Sequence, residues 1–121
     1  MNTAPAGRAL DGVAGRRILV TGGDGLIGSA VVRLLAERDA RVDVYDLGGP
    51  DAAARAVRAG AENHISGSVA DAEGVAKVIA GHDAVVHLAG IAGLDGGTAE
   101  QIYTANTLGT FLVMEAAARA G

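Results

Sequence analysis

Cysteine is absent from the 121 residues, which excludes disulfides and thiolate chemistry and fits a reducing cytosol. Aromatic residues are confined to Tyr45, Tyr103 and Phe111, so no row of rings is present on which bases could stack. Basic residues are outnumbered, with 10 Lys and Arg against 14 Asp and Glu and a formal net charge of -4. The chain therefore lacks the basic face that a nucleic-acid backbone needs, and nucleic acid is not an expected partner. His64, His82 and His87 lack the spacing of metal ligands, so no metal site is expected. No apolar run is long enough to cross a bilayer, and the opening "MNTAPAGRALDGVAG" has no apolar signal-peptide core. These absences predict a cytoplasmic chain without membrane contact. Half of its residues are apolar, enough for one core but not two. We expect a flexible tail over 1–15 and one domain over 16–121.

The domain's elements follow from periodicity. "RILVTG" (17–22) is a continuous apolar run of the kind buried on both faces of a sheet. From Leu26 the period changes, and Ile27, Val31, Leu34 and Leu35 fall at helical spacing. "ARVDVYDL" (40–47) reads as a second strand ending in an acid, and "DAAARAVRAGA" (51–61) as a helix stopped at Gly60. "NHISG" reads as a third strand, 71–81 as a helix with Asp71 at its N-cap, and "DAVVHLAG" (83–90) as a fourth strand. One long helix is expected over 99–120, with Ile102, Ala105, Leu108, Leu112 and Ala116 on its inner face and Gly121 at its C-cap. Alternating strands and helices with short connections predict an α/β fold: a parallel sheet of about four strands with helices on both faces.

The glycines between the first strand and first helix, in "TGGDGLIG" (21–28), admit two readings: a tight turn, or a cradle for a phosphate. A buried strand before them, a helix after them and an acid at the end of the next strand favour the cradle. Gly22 and Gly23 would turn the chain, Gly25 would let the backbone approach a pyrophosphate, and Gly28 would let the helix pack closely. Asp46 would accept hydrogen bonds from an adenosine ribose and repel a 2′-phosphate. With no arginine following it, NAD is expected over NADP. Asp24 stands inside the loop, where a carboxylate aimed at a phosphate would weaken binding. Its side chain is expected to point outward or to cap the helix.

Together these segments resemble the NAD-dependent epimerase/dehydratases of the extended short-chain dehydrogenase/reductase group. The resemblance rests on "VTGGDGLIGSAVVRLL", "VYDL", "GSVAD", "DAVVHLAG" and "NTLGTFLVMEAAARAG", in that order along the chain. It implies a Rossmann-type domain in which Gly22, Gly25, Leu26, Ile27 and Gly28 line the pyrophosphate of NAD. Asp46 and Leu47 would then hold the ribose, and Ser68 and Val69 would flank the adenine, Ser68 standing where the family usually has an acid. Leu88, Ala89, Gly90 and Asn106 would lie toward the nicotinamide. His87 reads as a packed strand residue and Tyr103 as a partly buried helix residue.

The family's catalytic chemistry uses a tyrosine as base and a lysine four residues on that lowers the tyrosine's pKa. No such pair occurs here: Gly49 follows Tyr45 at that spacing, Thr107 follows Tyr103, and Lys77 is the only lysine. The resemblance implies the first half of an enzyme acting on nucleotide sugars, truncated before a fifth strand. The isolated chain is expected to be non-catalytic and to self-associate through an open sheet edge. Two alternatives stand beside it: a stand-alone, non-catalytic dinucleotide-binding module, and the same fold with too weak a hold on NAD to matter.

Overall fold

A computed structural model describes residues 12–121; residues 1–11, most of the expected tail, lie outside the described residues. At 12–15 the chain turns, the Gly15 N–H donates to the Asp39 carbonyl at 2.8 Å, and Val13 rests against the core. Strand β1 (Arg17–Thr21) is buried from Ile18 onward on both faces, as its unbroken apolar run requires. Helix α1 (Leu26–Ala36), β2 (Arg41–Asp46), α2 (Ala52–Ala59), β3 (Asn63–Ser66), α3 (Ala72–Ile79) and β4 (Ala84–His87) follow. The strands pair in parallel in the order β3-β2-β1-β4, the architecture that the alternation of elements predicts.

Two cores flank the sheet. On one face Ile18, Val20, Val42 and Val44 meet Val32 of α1 and Ala56 of α2. On the other, Leu19 and Tyr45 meet Val75 and Ile79 of α3 and Val113 of the last helix. All strands run the same way, so their carboxyl ends gather along one rim, where a ligand site is open to construction from the loops.

Three expectations are corrected. In α1 the inner face is Gly28, Val31, Val32 and Leu35, whereas Ile27 and Leu34 of the expected apolar stripe are 69% and 49% exposed and Leu26 is 90% exposed. Gly28 decides this: a Cβ there would collide with the Gly22 carbonyl, so its bare side is the one pressed onto the loop that follows β1. The long helix over 99–120 is not uniform. It begins as α4 (Ala99–Tyr103), widens into a π-helical turn over Thr104–Leu108, and continues as α5 (Gly109–Ala120). The wide turn rotates the inner face by one residue, so Gly109 and Val113 are buried and the expected Leu108 is turned outward. Tyr103, expected to be partly buried, is 65% exposed. Asp71 does stand at the N-cap of α3, but its side chain makes no capping hydrogen bond.

Candidate functional site

The loop 22–25 carries the chain from the end of β1 into α1. Gly22 has a left-handed φ of 72°, and a Cβ on it would lie 2.6 Å from the Ala89 amide nitrogen, so both conformation and space demand glycine there. Gly23, expected to serve the turn, is needed for a different reason: a Cβ would lie 2.7 Å from the Val44 side chain. Gly25 differs from both. Its backbone is extended (φ -74°, ψ 174°), open to any residue, and a Cβ would make a single contact, 3.4 Å from the Gly22 carbonyl. Nothing among the described residues requires Gly25 to be glycine.

The Gly25 N–H donates to the Gly22 carbonyl at 3.1 Å. Among the described residues, no group accepts from the amides of Leu26, Ile27 and Gly28, and no side chain caps α1. A helix start with unpaired N–H groups and the positive end of its dipole is a place for an anion. The two most exposed large apolar side chains of the helix, Leu26 and Ile27, stand at that start.

Asp46 ends β2 beside this loop. Its Oδ2 accepts from the Asp24 N–H at 3.1 Å and its Oδ1 from the Leu47 N–H at 2.8 Å, so backbone donors fix the carboxylate while the side chain stays partly exposed. Asp24 neither points outward nor caps α1, contrary to expectation. Its carboxylate turns inward to His64 of β3, whose Nε2 donates to Oδ2 at 2.8 Å and lies 3.1 Å from Oδ1. No spacing rule foretells this pair. It joins positions on β3 and the first loop that become neighbours only when the sheet forms.

Asp46, Leu47, Ser68, Val69, Ala89 and Gly90 come together around one cavity of about 110 Å³, which Gly67, Ile91 and Ala105 complete. Ser68 is engaged locally, its Oγ accepting from the Ala70 N–H at 3.1 Å and its carbonyl from the Tyr45 hydroxyl at 3.0 Å. Val69 serves the core as well as the cavity, because its side chain packs where a Cβ on Gly109 would go. Burial pushes the Tyr45 phenol pKa up, with the Asp71 charge acting in the same direction.

Behind the β4 rim runs a directional chain of hydrogen bonds. The Leu88 and Ala89 amides donate to Thr21 Oγ1 at 3.1 and 3.2 Å, leaving the hydroxyl proton for His87 Nδ1 at 2.6 Å. His87 Nε2–H then donates to Thr110 Oγ1 at 3.0 Å, and that hydroxyl donates to the Asn106 carbonyl at 2.6 Å. Burial depresses the His87 pKa, in keeping with the neutral imidazole this relay needs. His87 is thus a satisfied packing residue, as its place in the strand suggested. Asn106 clamps the segment after β4, its Oδ1 accepting from the Ile91 N–H at 2.6 Å and its Nδ2 donating to the Ile91 carbonyl at 2.9 Å. The partners Thr21 and Thr110 have no signal of their own in the sequence.

Comparison with known proteins places this arrangement. The family model for the 3-beta hydroxysteroid dehydrogenase/isomerase family matches residues 19–121. A dTDP-glucose 4,6-dehydratase of Streptomyces niveus is 36% identical over 115 residues, 85% of this chain and 34% of that protein. Among solved structures, uronate dehydrogenase from Agrobacterium tumefaciens superposes with a TM-score of 0.70 at 32% identity, over 86% of this chain and 36% of that one. A UDP-glucose-4-epimerase from Stenotrophomonas maltophila, solved with bound NAD and formylated UDP-arabinopyranose, gives a TM-score of 0.76 at 25% identity. That match covers 88% of this chain and 34% of the epimerase. The chain spans about a third of the length of these relatives.

Proposed function

This chain belongs to the 3-beta hydroxysteroid dehydrogenase/isomerase family, of the NAD-dependent epimerase/dehydratase type, and on that premise we propose that residues 16–121 are its NAD-binding portion. The observation that carries the proposal is Gly25. Among the described residues it is a glycine that neither backbone conformation nor packing demands, placed before three amides without an acceptor. A pyrophosphate fits that space, whereas a side chain at 25 would project into it.

In this reading Leu26, Ile27 and Gly28 donate their amides to the pyrophosphate, with Gly22 and Gly28 setting the loop's shape. Asp46, pre-oriented by the Asp24 and Leu47 amides, accepts from the adenosine ribose hydroxyls with Leu47 beside it, and its charge disfavours a 2′-phosphate. Ser68 and Val69 border the adenine. Leu88, Ala89 and Gly90 face the nicotinamide, with Asn106 holding the segment that follows them. When bound, NAD supplies the hydride acceptor. Residues 1–121 contain no Tyr-x-x-x-Lys pair, so this chain alone contributes no general base of that kind.

A nucleotide sugar as the substrate of the whole enzyme rests on the names of the dehydratase and epimerase relatives. Mixing this chain with NAD and such a sugar is expected to give no NADH absorbance. No helix among the described residues is long and apolar enough to cross a membrane, and with the lack of cysteine this supports a cytoplasmic location. We propose also that the chain self-associates along β4, since among the described residues that strand pairs only with β1, and Phe111 and Met114 of α5 face solvent. A monodisperse monomer in sedimentation would contradict that part.

The test is NAD titration calorimetry on wild type and Gly25→Val. Wild type is expected to bind. Gly25→Val is expected to keep its melting temperature while losing affinity by about a hundredfold or more, some 2.7 kcal/mol. Unchanged affinity removes the phosphate reading.

A further inference from the structure

We propose that His64 is a positioning residue for the cofactor loop: it draws the Asp24 carboxylate inward, away from the start of α1, and leaves the Asp24 amide to orient Asp46. The inference rests on the NAD reading above. An aspartate two residues before the first helical residue, next to the N-cap Gly25, is close enough to turn its carboxylate onto the unpaired first-turn amides, which the helix dipole favours. There it would occupy the place of a phosphate and repel one. In this chain the carboxylate is instead engaged by both oxygens with His64 Nε2, at 2.8 and 3.1 Å. The His64 side chain is 2% exposed and that of Asp24 14%, so the pair is a built contact and not a surface encounter.

Two further observations tie His64 to the ribose end of the site. Its register partner on β2 is Val44, two residues before Asp46, so the anchor sits on the sheet itself. Gly48, in the turn after Asp46, has a left-handed φ of 83°, and a Cβ on it would lie 3.7 Å from the His64 ring. His64 therefore sits between the loop that bears Asp24 and the turn that follows Asp46. With the carboxylate held by His64, the Asp24 N–H reaches Asp46 Oδ2 at 3.1 Å. One imidazole thus settles both where a negative charge is absent, at the phosphate, and where one is fixed, at the ribose.

The experiment is NAD titration calorimetry on the full chain, with circular dichroism to check folding, for wild type, His64→Ala, Asp24→Asn and the double variant. His64→Ala is expected to weaken binding about tenfold, because the released charge competes at the helix start. Asp24→Asn, alone or combined with His64→Ala, is expected to bind within about threefold of wild type, since no charge remains to compete. His64→Gln keeps a donor and much of the volume, and covers the case in which His64→Ala does not fold; it too is expected within about threefold of wild type. Wild-type affinity in His64→Ala overturns the proposal, as does a double variant no better than His64→Ala, or a tenfold loss in Asp24→Asn or in His64→Gln. A wild-type chain that does not bind NAD overturns the cofactor reading and this inference with it. Binding by wild type with any of the other contrary results overturns this inference alone.

Discussion

Asp43 and Asp46 share strand β2, yet Asp43 faces the amino-end half of the sheet's polar network and Asp46 ends the strand at the site's rim. Asp43 is bound by side chains from β1, β3 and the loop between α3 and β4. Asn63 Nδ2 and His82 Nε2 each donate to it at 2.9 Å, and Arg17 Nη2 at 3.4 Å. Burial alone would push its carboxyl pKa up, but the donors Asn63, His82 and Arg17 outweigh that and hold it below the ordinary carboxylate range. Among the described residues Asp46 takes only backbone amides, and it keeps an open side toward the cavity that Ser68 and Ala89 also line. A larger hollow of about 480 Å³ lies near the Asp43 network, beside Arg16, His82 and Asp83, and includes none of the proposed cofactor residues. The contrast teaches that neither charge nor hollow size marks the site. Unused bonding capacity alone does not mark it either, since the buried His82 Nδ1 beside Asp43 has no partner among the described residues. What sets the site apart is three helix amides and one partly open carboxylate gathered beside a glycine that packing among the described residues does not require.

If that contrast holds, the two aspartates fail in different assays. Asp43→Ala leaves the Arg17, Asn63 and His82 donors without their acceptor and is expected to cost about 2 to 3 kcal/mol in urea unfolding, with the NAD affinity of the folded chain unchanged. An unchanged urea midpoint would break the comparison. Asp46→Asn is expected to do the reverse: an affinity for NAD about tenfold weaker, roughly 1.4 kcal/mol, with a smaller disadvantage for NADP. Its stability should stay within about 0.5 kcal/mol of wild type. Loss of stability without loss of affinity would make Asp46 a second structural tie.

The pH dependence sharpens the same division. The folded-state pKa of Asp43 lies below its unfolded value, so its contribution is complete above about pH 3.9 and is lost as pH falls through the folded value. Asp43→Asn is expected to flatten the acid limb of the stability curve. His87 is depressed by burial, so the stability tied to its neutral relay is complete above about pH 6.5 and declines as pH falls below it. Urea midpoints at pH 7.5 and 5.5 should show the smallest effect of this set, under about 1.4 kcal/mol, and His87→Gln should reduce it. A stability that rises on acidification over that interval, with no decrease removed by His87→Gln, would contradict the relay.

The order of strands and helices was legible because each βα unit writes its own periodicity, and Gly60 stops its helix at a left-handed φ of 113° as a C-cap glycine does. The place of Asp46 at the end of β2, beside the glycine loop, was legible from the alternation of strand and helix. What was hidden depends on contacts between distant segments. The rotated inner face of α5 follows from a π-helical turn that leaves no mark in the apolar spacing, and it is why Leu108 was placed inside. The inner face of α1 follows from Gly28 meeting Gly22, which only the folded loop brings about. The direction of the Asp24 side chain follows from His64, 40 residues away along the chain.

The most direct test of the central claim is a residue-resolved NMR titration of the isotopically labelled chain with NAD. Amide shifts are expected to concentrate at 22–28, 46–47, 67–69 and 88–91, with the amides around Arg17, Asp43 and His82 unmoved. Shifts gathered instead around Arg17, Asp43 and His82, or none at millimolar NAD, would contradict it.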